Sequence, residues 1–283
     1  MTRFGASEAS FEPEVIVLPD GASVAGEAAD RIADILAVAV EARGRADWAT
    51  TGGSMAPPIY RRLAGSPWRD RVPWGAIHVW WGDDRYVPPD HPLSNVRPLE
   101  DILLAIAWTQ GGQVALGQSG EATPVPLPLR QLHPFPTSRA IGEALGAAWC
   151  AKQLAHELQS SGPPAMDGWP VFDLVVLGVG PDGHVLSVFP GSDAFDAKDV
   201  AVAVAAPTHV EPHVERVTLN PGILTVARSI LVVATGAAKS TVIHEALRGD
   251  IGPRDLPARL ARRGNAIWIL DTAAASGLTQ PGV

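Results

Sequence analysis

The chain has 283 residues, 46% of them apolar and 18% charged, with 28 glycines and 26 prolines. That length and apolar content exclude a disordered chain and allow one large domain or two small ones with many turns. The net charge of −8 speaks against a general nucleic-acid or membrane-surface binder, which carries a basic face, and leaves room for an anionic small molecule held by a few basic groups in one cleft.

Taken in order, short strand-like runs alternate with longer helical ones. EVIVLPD (Glu14–Asp20) reads as a strand, followed by a helix of about twenty residues with Val24, Ala28, Ile32, Ile35, Leu36 and Ala39 on one stripe. DWAT (Asp47–Thr50) is a short strand, and APPIYRRLA a helix with prolines in its first turn, where they are tolerated. AIHVWW (Ala76–Trp81) is a strand, and Pro98 to Trp108 reads as helical. Thr109–Ser138 is rich in glycine and proline and is expected to be a surface excursion with one short strand, VAL. Arg139 to Gln159 reads as one long helix with Ile141, Leu145, Trp149 and Leu154 apolar; Cys150, the single cysteine, sits there as a core thiol and excludes an intramolecular disulfide. SSGPPAMDG is a loop, and FDLVVLG, VAVAVA, RVTL, SILVVATG and AIWILD follow as strands, with helices starting near Pro221, Ala237 and Thr272.

Strands apolar on both faces, separated by helices, predict an α/β fold: a doubly wound, mostly parallel sheet flanked by helices on both faces. No composition shift divides the chain, so residues 1–283 are read as one domain. No run approaches the ~20 apolar residues of a membrane span, and MTRFGASEAS lacks the apolar core of a signal peptide. A cytoplasmic protein is expected.

In open α/β sheets ligands sit beyond the carboxyl ends of the strands, and four turns there carry polar chemistry. TGGS (Thr51–Ser54) precedes a helix; glycines permit close backbone approach and a helix N-terminus offers free N–H groups, although Gly-Gly-Ser is also an ordinary turn. GDDRYVPPDHPLSNVR puts two carboxylates and an arginine beside two tryptophans. VGPDGH is a tight turn that presents His184 over the sheet edge. TGAAKS puts Lys239 in the first turn of a helix, where a cation opposes the helix dipole and a bound anion would compensate. Together these groups suit a small phosphorylated substrate. HExxH, CxxC and DxDxD metal patterns are missing, as are the GxSxG elbow, GxxxxGK[ST] and a convincing GxGxxG, so no metal, nucleotide or other cofactor is expected.

WGDDRYVPPDHPLSN, FDLVVLGVGPDGHVLSVFPGS, RVTLNPGIL and ILVVATGAAKS, with TGGSMAPPIY upstream, resemble the glucosamine-6-phosphate isomerase/6-phosphogluconolactonase family, in order, from about Glu14 to Asp271. The GxGPDGH…S.FPG and GD[E/D]R.VP blocks are specific, TGGS is not, and Thr109–Ser138 is not covered. The resemblance implies the isomerase-like sheet fold and, for the lactonase branch, cofactor-free hydrolysis of 6-phosphogluconolactone in the oxidative pentose phosphate pathway. It implies that His184 transfers the proton, that Arg85 binds substrate or stabilises charge, and that Asp182 or Asp83 orients the imidazole or the water. Gly52, Gly53, Ser54, Lys239 and Arg216 would hold the phosphate, and Asn95 would contact substrate. Asp84 stands where the family has glutamate and is expected to support the loop. Isomerases carry tyrosine at the position of Arg85 and glutamate at that of Phe189, which favours the lactonase over the isomerase. A non-catalytic sugar-phosphate sensor is the rival from another class, but the ~13 residues before the first strand are too few for a helix-turn-helix. The expected partner is a sugar-phosphate lactone, with no nucleic acid and no membrane; monomer and homodimer both stay open.

Overall fold

The computed structural model describes residues 12–104, 106–108, 114–116 and 124–278. Seven strands, all parallel, lie side by side in the order Glu14–Leu18, Ala266–Asp271, Ile230–Ala234, Leu174–Gly178, Ala46–Thr50, Ile77–Trp81, Leu132–His133. The inner strands are buried almost end to end, as LVVL, ILVVA and ADWAT must be when both faces of a sheet are covered. Helices flank the sheet, and the fold is the doubly wound α/β class.

The first helix, Gly21–Arg43, shows how local sequence sets an element. Asp20 caps it by accepting from the Ser23 N–H at 2.8 Å, and Gly44, at φ 72°, closes it. Val24, Ala28, Ile32, Leu36 and Ala39 form the buried stripe, while Ile35 is half-buried at its margin.

The chain winds outward in two directions from the middle of the sheet. Ala46–Thr50 leads to Ile77–Trp81 and then Leu132–His133 on one side; Leu174–Gly178 leads to Ile230–Ala234 and then Ala266–Asp271 on the other. The connections beyond these two adjacent strands diverge and leave a crevice between TGGS and VGPDGH, the place where such sheets bind ligands.

A second, antiparallel sheet of Ala201–Val204, Arg216–Leu219 and Asp83–Arg85 roofs this end. It joins the first at Gly82, whose N–H donates to Thr50 O at 2.9 Å and whose carbonyl accepts from Leu219 N at 2.8 Å. A Cβ at Gly82 would come within 2.6 Å of Leu186 Cδ2 and 3.3 Å of Thr50 O, so a side chain at the junction would have to displace Leu186.

The structure corrects four expectations. The helix read over Pro98–Trp108 spans Arg97–Leu103 only; Ile106–Trp108 is a strand pairing antiparallel with Val114–Leu116, the VAL strand. The long helix over Arg139–Gln159 is two, Thr137–Gly142 and Ala147–Ser161, because Ala144 and Gly146 take positive φ between them; Ile141 and Leu145 are exposed. The excursion read over 109–138 is shorter than expected: Val125, Leu127 and Phe135 are buried, and Leu132–His133 is the edge strand of the central sheet. The helices expected near Pro221 and Ala237 are Ile223–Val226 and a 3₁₀ turn at Ala237–Lys239 leading into Ser240–Arg248, whereas the one expected near Thr272 is not formed: the chain turns there and then enters a 3₁₀ turn at Ser276–Leu278.

At the opposite end of the sheet, buried Asp47 ties the entry of its own strand to the neighbouring strand Ile77–Trp81. It accepts from Arg45 Nε at 2.8 Å and Nη2 at 2.6 Å, and from the Trp80 indole N–H at 2.9 Å. Asp47→Ala strands the buried indole N–H, and should cost about 2 kcal/mol, the penalty of an unsatisfied buried donor plus lost charged hydrogen bonds. Urea unfolding monitored by fluorescence checks this; an unchanged midpoint would show that Asp47 contributes nothing.

Candidate active site

The turn after Leu174–Gly178 is built by its own backbone. Gly183 N–H donates to Gly180 O at 3.0 Å, closing a β-turn with proline at its second position, and Gly180 N–H donates to His184 O at 2.9 Å. Gly183 has φ 83°. A Cβ at Gly180 would lie 2.1 Å from His184 Nδ1 and 2.7 Å from Asp182 Oδ1, so the imidazole and carboxylate pack directly on bare backbone. His184 Nδ1 and Asp182 Oδ1 are 2.6 Å apart. Asp182 Oδ2 lies 2.9 Å from His209 Nε2, so one carboxylate bridges two imidazoles. Burial raises the Asp182 carboxyl, but the hydrogen bond and charge of His184, with the hydrogen bond of His209, outweigh it and hold the group well below the usual carboxylate range.

The Thr51–Ser54 turn faces this one. Tyr60 pins its start, with its hydroxyl 2.8 Å from Thr50 Oγ1 and donating to Thr51 O at 3.1 Å. A Cβ at Gly52 would fall 1.8 Å from Asn95 Oδ1, and Gly53 has φ 78°. The helix beyond spans Ala56–Ala64. Pro57 and Pro58 lack N–H groups, which removes two of the free donors of its first turn. The backbone donors on this side therefore belong to the turn itself more than to the helix end.

Three cations converge on the same cleft, which the Gly52–Ser54 turn, Asn95 and His184 also line. Arg85 and Arg216 occupy paired positions of the antiparallel ladder. Arg85 Nη1 donates to Leu93 O at 2.8 Å; Arg216 Nη2 donates to Pro212 O at 3.1 Å, and its guanidinium lies 5.4 Å over the Phe189 ring. The Nε of each is buried without a hydrogen bond. Burial first, then the charge of Arg85, lowers the Arg216 pKa, against the pull of Asp83 and Asp182. Lys239 reaches in from the Thr235–Gly236 turn, which Asp271 fixes by accepting from Gly236 N–H at 3.0 and 3.1 Å. Burial lowers its pKa, with Asp271 acting in the other direction. Among the described residues no carboxylate lies within ion-pair distance of any of the three.

The two neighbouring aspartates do different work. Asp83 Oδ2 accepts from the Ser187 hydroxyl at 2.6 Å, and Asn95 Nδ2 donates to Asp83 O at 3.0 Å and Oδ1 at 3.3 Å. Asp84 points away from the cleft lining and holds the loop: its Oδ1 accepts from Arg85 N–H at 2.8 Å and Asn95 N–H at 2.7 Å, its Oδ2 from Ser94 Oγ at 3.1 Å. Asp182, not Asp83, is the carboxylate touching the His184 ring. Sequence reading missed Ser187, His209 and Leu186. Leu186 takes φ 56°, a left-handed conformation costing a leucine about 1–2 kcal/mol, and the turn it makes sends Ser187 to Asp83. Ser187 lies within the quoted PDGH block; His209, 27 residues beyond Asp182, carried no spacing signal.

Residues 19–268 match the family described as glucosamine-6-phosphate isomerases/6-phosphogluconolactonase. A 6-phosphogluconolactonase of Streptomyces coelicolor is 33% identical over 272 residues, 95% of this chain and 96% of its own. One from Synechocystis sp. is 33% identical over 241 residues, 85% of this chain and 88% of its own. The solved 6-phosphogluconolactonase of Trypanosoma brucei superposes with a TM-score of 0.77 at 28% identity, covering 95% of this chain and all of that one.

Asp84 gives a pH test of the loop. Burial raises its carboxyl to about 7, against the lowering by the Asn95 and Arg85 N–H groups and with Asp83 adding to the rise. The folded state therefore keeps a proton that an unfolded aspartate releases near pH 4, and wild-type stability falls as pH rises from about 4 to about 7. Asp84→Asn has no such proton to lose. Relative to wild type it should gain a few kcal/mol, to order of magnitude, across that window. Urea midpoints at about pH 5 and about pH 8 check this; a constant difference between the two proteins would contradict it.

Proposed function

The chain belongs to the glucosamine-6-phosphate isomerase/6-phosphogluconolactonase family, and we propose that it hydrolyses 6-phospho-D-glucono-1,5-lactone to 6-phospho-D-gluconate, in the oxidative pentose phosphate pathway. The observation that carries this reading is a carboxylate-bound imidazole, His184, in one cleft with three cations that have no carboxylate partner among the described residues.

The phosphate dianion binds at the Gly52–Ser54 turn with Lys239 and Arg216, and Asn95 fills the space that a side chain at Gly52 would occupy. Anchoring the non-reacting end orients the lactone carbonyl over the histidine. His184 donates Nδ1–H to Asp182, which leaves Nε2 unprotonated to take a proton from water as the water oxygen bonds to C1. Arg85 and backbone N–H groups stabilise the oxyanion. As the intermediate collapses, the bond from C1 to the ring oxygen breaks and His184 returns its proton to that oxygen. The new carboxylic acid then ionises. Asp83, bonded to Ser187 and Asn95, braces the cleft wall.

Phe189 supports the lactonase branch over the isomerase. Its ring lies 4.7 Å from that of His184, and a phenyl group neither gives nor takes the proton that the isomerase glutamate would handle. Arg85 at the isomerase tyrosine position repels a substrate ammonium.

Freshly prepared lactone, assayed against its spontaneous opening, should be hydrolysed, and His184→Ala should lower kcat by about 10²- to 10⁴-fold with the fold intact. Near-normal turnover by the folded variant would remove His184 from the mechanism. Activity should survive exhaustive chelation; loss with EDTA and recovery on adding a divalent ion would overturn the metal-free scheme. The same sample should not deaminate glucosamine 6-phosphate at a comparable rate.

A further inference from the structure

Asp182 does not serve His184 alone. Its second oxygen meets His209 Nε2 at 2.9 Å, from the loop that leads into Arg216–Leu219. The Phe189 ring lies between the imidazoles, tilted at 4.7 Å from His184 and edge-on at 5.7 Å from His209. The His209 side chain is 53% exposed, against 16% for Asp182 and His184, so the arrangement runs from solvent towards the less exposed imidazole of His184. Arg216 lies over the Phe189 ring and is pulled on by Asp182, and it lines the cleft with Arg85, Lys239 and Asp83. On the loop itself, His213 pairs with Glu211 at 3.8 Å, with both side chains largely exposed.

We propose that His209 is a positioning residue for the reaction: by donating to Asp182 it sets how firmly that carboxylate holds the proton of His184, and so the pH above which His184 is free to act as a base. A carboxylate with one donor concentrates its charge on that donor. With a second donor on its other oxygen, it stabilises the imidazolium of His184 less. When His209 itself is protonated, its positive charge acts in the same direction. The contact also fixes the carboxylate plane, and with it the ring of His184. The kinetic arm of this inference rests on the lactonase reading, whereas the coupling between the two rings does not.

The test uses the full chain with His209→Phe, which removes the donor, and His209→Gln, whose Nε2 is as many bonds from Cα as the histidine Nε2 and keeps an N–H. The pH dependence of kcat/KM on the lactone is measured together with the NMR titration of the His184 ring in substrate-free protein. In His209→Phe the acid limb of kcat/KM and the His184 midpoint should both move to higher pH by roughly 0.5–1 unit, a fraction of the one to three units exerted by a close opposite charge. His209→Gln should return both towards wild type. A His184 midpoint unmoved in His209→Phe, or a glutamine variant that behaves like the phenylalanine one, would overturn the proposal. If the midpoint moves as expected but the wild-type protein does not open the lactone, the coupling stands and the lactonase reading fails.

Discussion

Two arginines placed opposite each other across an antiparallel ladder are the constraint on which this site depends. Like charges at directly opposed positions destabilise a sheet, yet Arg85 and Arg216 occupy such a pair and Arg216 is almost wholly buried. The main chain enforces the arrangement. Gly82 splices the small sheet onto the carboxyl end of the large one, and the Leu93 and Pro212 carbonyls and the Phe189 ring hold the guanidinium groups. Lys239 adds a third positive charge from a turn clamped by Asp271. The three clustered positive charges carry an electrostatic cost that, in the proposed function, the substrate phosphate would relieve. Sites of this kind bind with little reorganisation, because the charges are already placed.

His184, the proposed base, is positioned by the same economy of backbone. His184 sits on a turn closed by two internal hydrogen bonds and tied to the Pro257–Ala261 segment by Ala258 N–H donating to Gly183 O, against a glycine that leaves no room for a side chain, and its ring is oriented by a carboxylate held from both sides. Leu186 in a left-handed conformation then turns the chain so that Ser187 meets Asp83 across the junction of the two sheets. That strained residue links the turn carrying the base to the strand carrying Arg85. Backbone strain at such a point is what a locally over-determined site can sustain.

Much of this was legible in the sequence, because it is local. LVVLG flanked by turn residues names a buried parallel strand, and Pro-Asp-Gly before a histidine names the tight turn. What was not legible depends on contacts distant along the chain. The small sheet pairs Asp83–Arg85 with Arg216–Leu219, and no periodicity in a three-residue strand announces that partner. Ser187 meets Asp83 across 104 positions. Local ambiguity explains the rest. The apolar spacing from Pro98 to Trp108 suits a helix, but Ile106–Trp108 also suits a hairpin strand, and tertiary pairing decided it. Between Gly142 and Ala147 the helix breaks for about one turn, so the apolar period continues across the gap as if it were unbroken. The glycines at 142 and 146 were the available signal.

In the proposed function, Arg85, Arg216 and Lys239, which have no ion-pair partner among the described residues, select the phosphate of the ligand. Calorimetric titration of the wild-type protein with 6-phosphogluconate and with gluconate tests this most directly, because the two differ only in that group and neither undergoes reaction. The account predicts binding of the phosphorylated acid tighter by on the order of 100-fold, the equivalent of one to two hydrogen bonds to a charged group. Equal affinities for the two acids would contradict it.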